Sequence, residues 1–148
     1  MSSAKSASAT ILLVDDNKLG LTARRHVLDE IGYRTLIAAS ARTALESFTK
    51  NSVDLVVTDY KMPDMSGIDL IRELRKVKPN IPIVLISGFV DVLGLDEQTT
   101  GADQVVMKSA NEVTHLVRAV SRLLNRKPSR KPPGSVQSAA AKARKKSV

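Results

Sequence analysis

Short apolar runs alternate along the chain with longer stretches in which apolar residues recur every three or four positions. The runs lie at residues 11–14, 36–39, 55–57, 83–86 and 105–107, and consist mainly of Val, Ile and Leu with no polar residue between them. A strand covered on both faces reads this way, because neither side of its pleat meets water; such strands belong to parallel sheets. Between the runs, helical spacing predicts four clear amphipathic segments. Leu19, Ala23, Val27 and Ile31 form one stripe, closed by Gly32. Ala41, Leu45 and Phe48 form a second, with Ser40 placed to cap it. Ile68, Ile71, Leu74 and Val77 form a third, ended by Pro79. Val113, Leu116, Val117, Val120, Leu123 and Leu124 form the strongest, with Ser109 and Glu112 spaced as a capping box at its start. Residues 89–100 are weaker, since Gly94, Thr99 and Thr100 interrupt the period; a short or irregular helix is expected there. The five-fold β-α alternation predicts an open parallel sheet with helices on both faces.

Composition sharpens this picture at the ends. The chain has 148 residues, 43% of them apolar, which is enough for one domain core and too little for two. Its formal charge is +8, from 23 Lys and Arg against 15 Asp and Glu. Eight of the basic residues, and no acidic one, fall in 126–148, leaving 15 of each sign before that point. The basicity is thus a property of the C-terminal segment, and a histone-like basic body is excluded. That segment also holds Pro128, Pro132, Pro133 and Gly134. It cannot bury enough apolar surface to offset its ordering entropy. The expected organisation is a flexible stretch at 1–8, a folded domain at 9–125 and a disordered basic tail at 126–148. With no cysteine, disulfide scaffolds, zinc–thiolate sites and cysteine nucleophiles are excluded. No run approaches the length of a signal-peptide core or a membrane span, so a soluble cytoplasmic protein is expected.

The residues that end the strands carry the chemistry. Asp15 and Asp16 follow the first, Asp59 the third, Ser87 the fourth and Lys108 the fifth. In a parallel sheet these ends share one edge, and ligands bind beyond it where the connections reverse direction. Three carboxylates, one hydroxyl and one ammonium should therefore meet in one crevice. Two like charges about 4 Å apart repel by roughly 4 kcal/mol at an effective dielectric of 20. One Lys cannot offset several such pairs, so either a carboxylate is protonated or a cation is bound. An all-oxygen, acid-rich site suits Mg²⁺, which binds through a few carboxylates together with a substrate phosphate. Metal and Lys together would form a positive focus for a transferring phosphoryl group, with an Asp as nucleophile.

The ordered set Asp15-Asp16, then Asp59-Tyr60-Lys61-Met62-Pro63-Asp64-Met65-Ser66-Gly67, then Ile86-Ser87-Gly88, then Gly101-Ala102-Asp103 with Lys108, resembles the receiver domain of two-component response regulators over roughly residues 10–125. The resemblance implies a doubly wound, flavodoxin-like parallel sheet of strand order 2-1-3-4-5. It implies that Asp59 is the phosphoacceptor, and that Asp15, Asp16, Asp59 and the backbone carbonyl of Lys61 hold Mg²⁺. It further implies that Ser87 and Lys108 engage the phosphoryl group, that Met62, Pro63 and Gly67 shape the following loop, and that the domain signals rather than turns over a substrate. The implied donor is a sensor histidine kinase or a histidine phosphotransfer protein. The chain departs from the family pattern in two respects. Val105, Val106 and Met107 stand where an aromatic residue usually precedes the Lys, and Ser109 stands where Pro usually follows it. The chemistry is expected intact and the read-out modified.

The resulting expectation is a stand-alone receiver whose output passes through an unidentified protein target, onward phosphotransfer or the tail. One alternative is a receiver-switched nucleic-acid-binding effector, in which the tail contacts DNA or another acidic partner; a second is a small phosphatase with an Asp nucleophile. The tail has no aromatic residue for stacking on bases and little apolar surface for a membrane. His26 and His115 lack any supporting motif and are expected to be ordinary helix residues.

Overall fold

The computed structural model describes residues 9–88 and 96–125. The expected flexible start at 1–8, the basic tail and most of the weak segment after the fourth strand lie outside them. Along the chain run β1 (Thr10–Val14), α1 (Lys18–Ile31), β2 (Arg34–Ala38), α2 (Ala41–Lys50), β3 (Leu55–Asp59), α3 (Gly67–Val77), β4 (Ile83–Ser87), α4 (Glu97–Thr100), β5 (Gln104–Met107) and α5 (Glu112–Leu124). The five strands form one sheet in the order β2-β1-β3-β4-β5, with every neighbouring pair parallel. The expected fold class is therefore the observed one.

Burial follows position in the sheet. β3 and β4 are buried at every residue, whereas β2 and β5 lie at the edges and are only partly covered. The pleat sends alternate residues to opposite faces and divides the core in two. Leu12, Val14, Val56, Ile83 and Leu85 pack with α2 and α3. Ile11, Leu13, Leu55, Val57, Val84 and Ile86 pack with α1 and α5.

The helices depart from the predicted stripes in instructive ways. In α2 and α5 the buried faces include Phe48, Leu116, Val120 and Leu123, as the periodicity indicates. In α1 the predicted stripe faces outward: Leu19 is 82% exposed, Ala23 and Ile31 are exposed, and the buried positions are Leu21, Arg24 and Leu28. A charged residue, Arg24, occupies the centre of the buried face, so the inner row is one helical row away from the apolar stripe. In α3, Leu70 joins Ile71 and Leu74 inside while Val77 is exposed. The capping box expected at α5 does not form. Asn111 precedes the helix with no side-chain cap, the Ser109 hydroxyl accepts the Asn111 N–H, and the Glu112 carboxylate turns to Arg24. Ser40 caps α2 as expected, accepting the Thr43 N–H. Asp64 assists from the β3–α3 loop by accepting the Ala41 and Arg42 N–H groups, which ties that loop to α2.

Candidate functional site

The carboxyl ends of β1, β3, β4 and β5 converge as the topology requires. Asp15 follows β1 and is 1% exposed; its backbone N–H donates to the Ala38 carbonyl of β2, which fixes where the chain leaves the sheet. Asp16 is next and faces solvent. Asp59 ends β3 and is buried. One oxygen from each of the three carboxylates can be chosen so that all lie within 4.8 Å of one another. This donor set, hard, anionic and without nitrogen or sulfur, fits a magnesium-type cation.

Asp59 is held from two sides. Lys108 Nζ lies 2.8 Å from Oδ1, and the Lys61 backbone N–H donates to Oδ2 at 3.3 Å. Burial pushes the Asp59 carboxyl above the usual range; the Lys108 hydrogen bond opposes this, and the nearby Asp15 charge adds to it. Ser87 ends β4, is buried, and accepts the Lys108 N–H at its backbone carbonyl. Lys108 follows β5 directly and is 37% exposed. Gly67 lets the start of α3 approach the strand end: a Cβ there would lie 2.4 Å from the Asp59 carbonyl oxygen and 2.9 Å from Leu85 Cδ1. Its N–H donates to the Tyr60 carbonyl at 2.7 Å, so the loop after Asp59 closes on itself.

Two further charged residues enter the site unannounced by the motif. Arg24 is 3% exposed; its Nη1 lies 2.7 Å from Asp15 Oδ2 and its Nε 2.7 Å from Glu112 Oε2. Burial would lower its proton affinity, but the bonds to Glu112 and Asp15 outweigh this and hold the guanidinium charged. The available signal was spacing: Arg24 lies three residues after Leu21 and four before Leu28, on a helical row that its charge made unattractive.

The histidines stay apart from this chemistry. His26 is exposed, 3.6 Å from Glu30, and His115 is exposed on α5. Tyr60 packs against the α2–α3 side of the core, as does Val105. Phe89, the other aromatic residue after the site's strands, lies outside the described residues. Among the described residues, no helix is long and apolar enough to cross a membrane.

With this geometry in view, the chain belongs to the response regulator receiver domain family, whose model matches residues 11–121. Over 101 residues it is 35% identical to the aerobic respiration control sensor protein ArcB of Escherichia coli, covering 66% of this chain and 13% of that one. Over 118 residues it is 33% identical to the alkaline phosphatase synthesis transcriptional regulatory protein PhoP of Bacillus subtilis, covering 76% and 48%. Among solved structures, the response regulator protein TrrA of Thermotoga maritima, in complex with Mg²⁺–BeF, matches with a TM-score of 0.72 and 32% identity over 79% of this chain and all of that one. The chain spans about half or less of the length of these two curated relatives.

Proposed function

We propose that Asp59 accepts a phosphoryl group from a phosphohistidine on a sensor histidine kinase or phosphotransfer protein in the cytoplasm. In this reading residues 9–125 are the switch and 126–148 a basic extension. The observation that carries it is the meeting of three carboxylates within 4.8 Å, with the Lys108 ammonium on Asp59. Asp15, Asp16, Asp59 and the Lys61 carbonyl are the residues that would hold Mg²⁺. When bound, the ion supplies positive charge that offsets the carboxylates and draws density from the phosphoryl oxygens.

The protein's own groups do the rest. An Asp59 oxygen forms a bond to phosphorus while the donor's P–N bond breaks and the imidazole nitrogen keeps the electron pair. Lys108, partly exposed at a strand end, has room to follow negative charge from the carboxylate onto the phosphoryl oxygens. The Ser87 hydroxyl, at the adjacent strand end, supplies a donor to the same oxygens. These new bonds favour one of two surface states, and a target that prefers that state reads the signal. With Val105 at the aromatic position, the rearrangement runs through these polar contacts rather than a swinging ring.

The test is incubation with a small-molecule phosphodonor, with and without Mg²⁺, followed by intact-mass measurement of wild type and Asp59→Ala. A metal-dependent phosphoryl gain that the variant lacks is expected; labelling that survives the substitution would move the acceptor elsewhere. The charge segregation at 126–148 favours one secondary reading, in which the tail adds contact to a polyanionic partner. If all eight basic groups met phosphates on duplex DNA, the log–log salt slope would be about −7. A chain ending at residue 125 would then lose that binding and keep phosphoryl acceptance.

A further inference from the structure

The Asp15–Arg24–Glu112 chain joins the acidic pocket to a helix that supplies none of its proposed ligands. Arg24 leaves α1, reaches Asp15 with one edge of its guanidinium and Glu112, the first residue of α5, with another. The arrangement is built in. Gly20, one turn earlier in α1, leaves space for the pair: a Cβ there would lie 3.2 Å from Asp15 Oδ2 and 3.6 Å from Arg24 Nη1. The other Asp15 oxygen accepts the Asn17 N–H at 3.0 Å, so the carboxylate is held at both ends. A cleft of about 300 Å³ opens alongside, with Asp15, Gly20, Arg24, Lys108 and Glu112 on its walls. The first turn of α5 has no side-chain cap of its own, and Glu112 is spent on Arg24.

Charge explains what such a chain can do. Asp15, Asp16, Asp59 and Glu112 carry four negative charges, and Arg24 and Lys108 two positive ones, a balance that one divalent cation completes. A cation drawing on the Asp15 carboxylate competes with the Arg24 guanidinium for the same charge. A buried guanidinium that loses its only partner costs several kcal/mol. Arg24 does not lose its only partner, because Glu112 accepts from Nε independently.

We propose that Arg24 is a positioning residue, and that Glu112, by holding its guanidinium, both sets how tightly the pocket takes a divalent cation and carries the pocket's occupancy to the first turn of α5. This rests on reading the acidic trio as a cation site. By reciprocity, anything that fixes α5 in its cation-bound arrangement tightens the cation in return.

Mg²⁺ titration of the full chain, followed at backbone amides by NMR, separates the two claims. Wild type should show saturable shifts at Asp16 and Lys61, and parallel shifts at Glu112, Val113 and Leu116. In Glu112→Gln the guanidinium charge falls on Asp15 alone; the midpoint should rise about 5-fold or more, and the α5 shifts should vanish while the pocket shifts remain. Arg24→Lys keeps the charge but cannot present two edges, so it too should lose the α5 shifts, which a long-range field would leave in place. Unchanged midpoint and α5 shifts in Glu112→Gln would overturn the inference with the cation site intact. Wild type that shows no saturable pocket shift would overturn the cation site, and the inference with it.

Discussion

Two carboxylates of the same pocket are treated in opposite ways. Asp59 meets Lys108, a side chain on a single stem, 37% exposed and free of any second acidic partner among the ion pairs of the described residues. Asp15 meets Arg24, buried to 3% and bonded in two directions at 2.7 Å. An ammonium is a compact point charge on a flexible stem; a guanidinium is a planar fork that fixes both partners. The pocket thus keeps one carboxylate against a partner that can move, and clamps the other against a partner that cannot. What differs is the cost of movement, since the residues share one sheet edge and one sign of charge.

Substitutions that break this contrast should separate widely in their effect. Arg24→Met strands Asp15 and partly buried Glu112 without their cation. It should destabilise the metal-free fold by about 3 kcal/mol or more, read as a lower urea midpoint. Gly67→Ala should follow, at about 1–3 kcal/mol, because its Cβ would meet the Asp59 carbonyl oxygen at 2.4 Å, and that backbone cannot swing aside. Lys108→Met should cost about 1–2 kcal/mol by the same measurement: it leaves the buried Asp59 carboxylate without its ammonium, but only one side chain of this pair is buried. A Lys108 variant as damaging as the Arg24 variant would erase the distinction.

The smallest effect sharpens the comparison from outside the pocket. Backbone N–H groups of Arg42 and Ala41 hold the Asp64 carboxyl below the usual carboxylate range. A carboxyl depressed on folding adds stability above its unfolded pKa, and that contribution is lost as pH falls through the folded value. Asp64→Ala should therefore cost about 1 kcal/mol or less at neutral pH. The wild-type-to-variant difference should shrink as acid protonates the group, measurable as converging thermal midpoints below about pH 4. A difference that persists unchanged in acid would mean that Asp64 acts by packing alone.

How much of this was readable beforehand varies by element. The strands match the apolar runs to within two residues, because runs this short and this rich in Val and Ile, set between helical stripes, are too brief for helices. The placement of Asp15, Asp16, Asp59, Ser87 and Lys108 along one sheet edge was legible because parallel topology puts strand ends together. The buried face of α1 was not. Leu19, Ala23, Val27 and Ile31 make a cleaner apolar row than Leu21, Arg24 and Leu28, yet the second row is inside. Ser109 and Glu112 likewise match a capping box by spacing, and the box is absent because Glu112 has a stronger, charged partner.

The order of β and α segments, the collection of acidic groups at one end of the sheet and the segregation of positive charge after residue 125 were all set by the sequence read along its length, since each depends on local composition and period. Which basic residue serves which carboxylate was decided only in three dimensions. Arg24 is tolerable inside because Asp15, nine residues away, and Glu112, eighty-eight residues away, close on it together. A buried charge is stable only when its partners arrive with it, and no local pattern records an arrival from the far end of the fold.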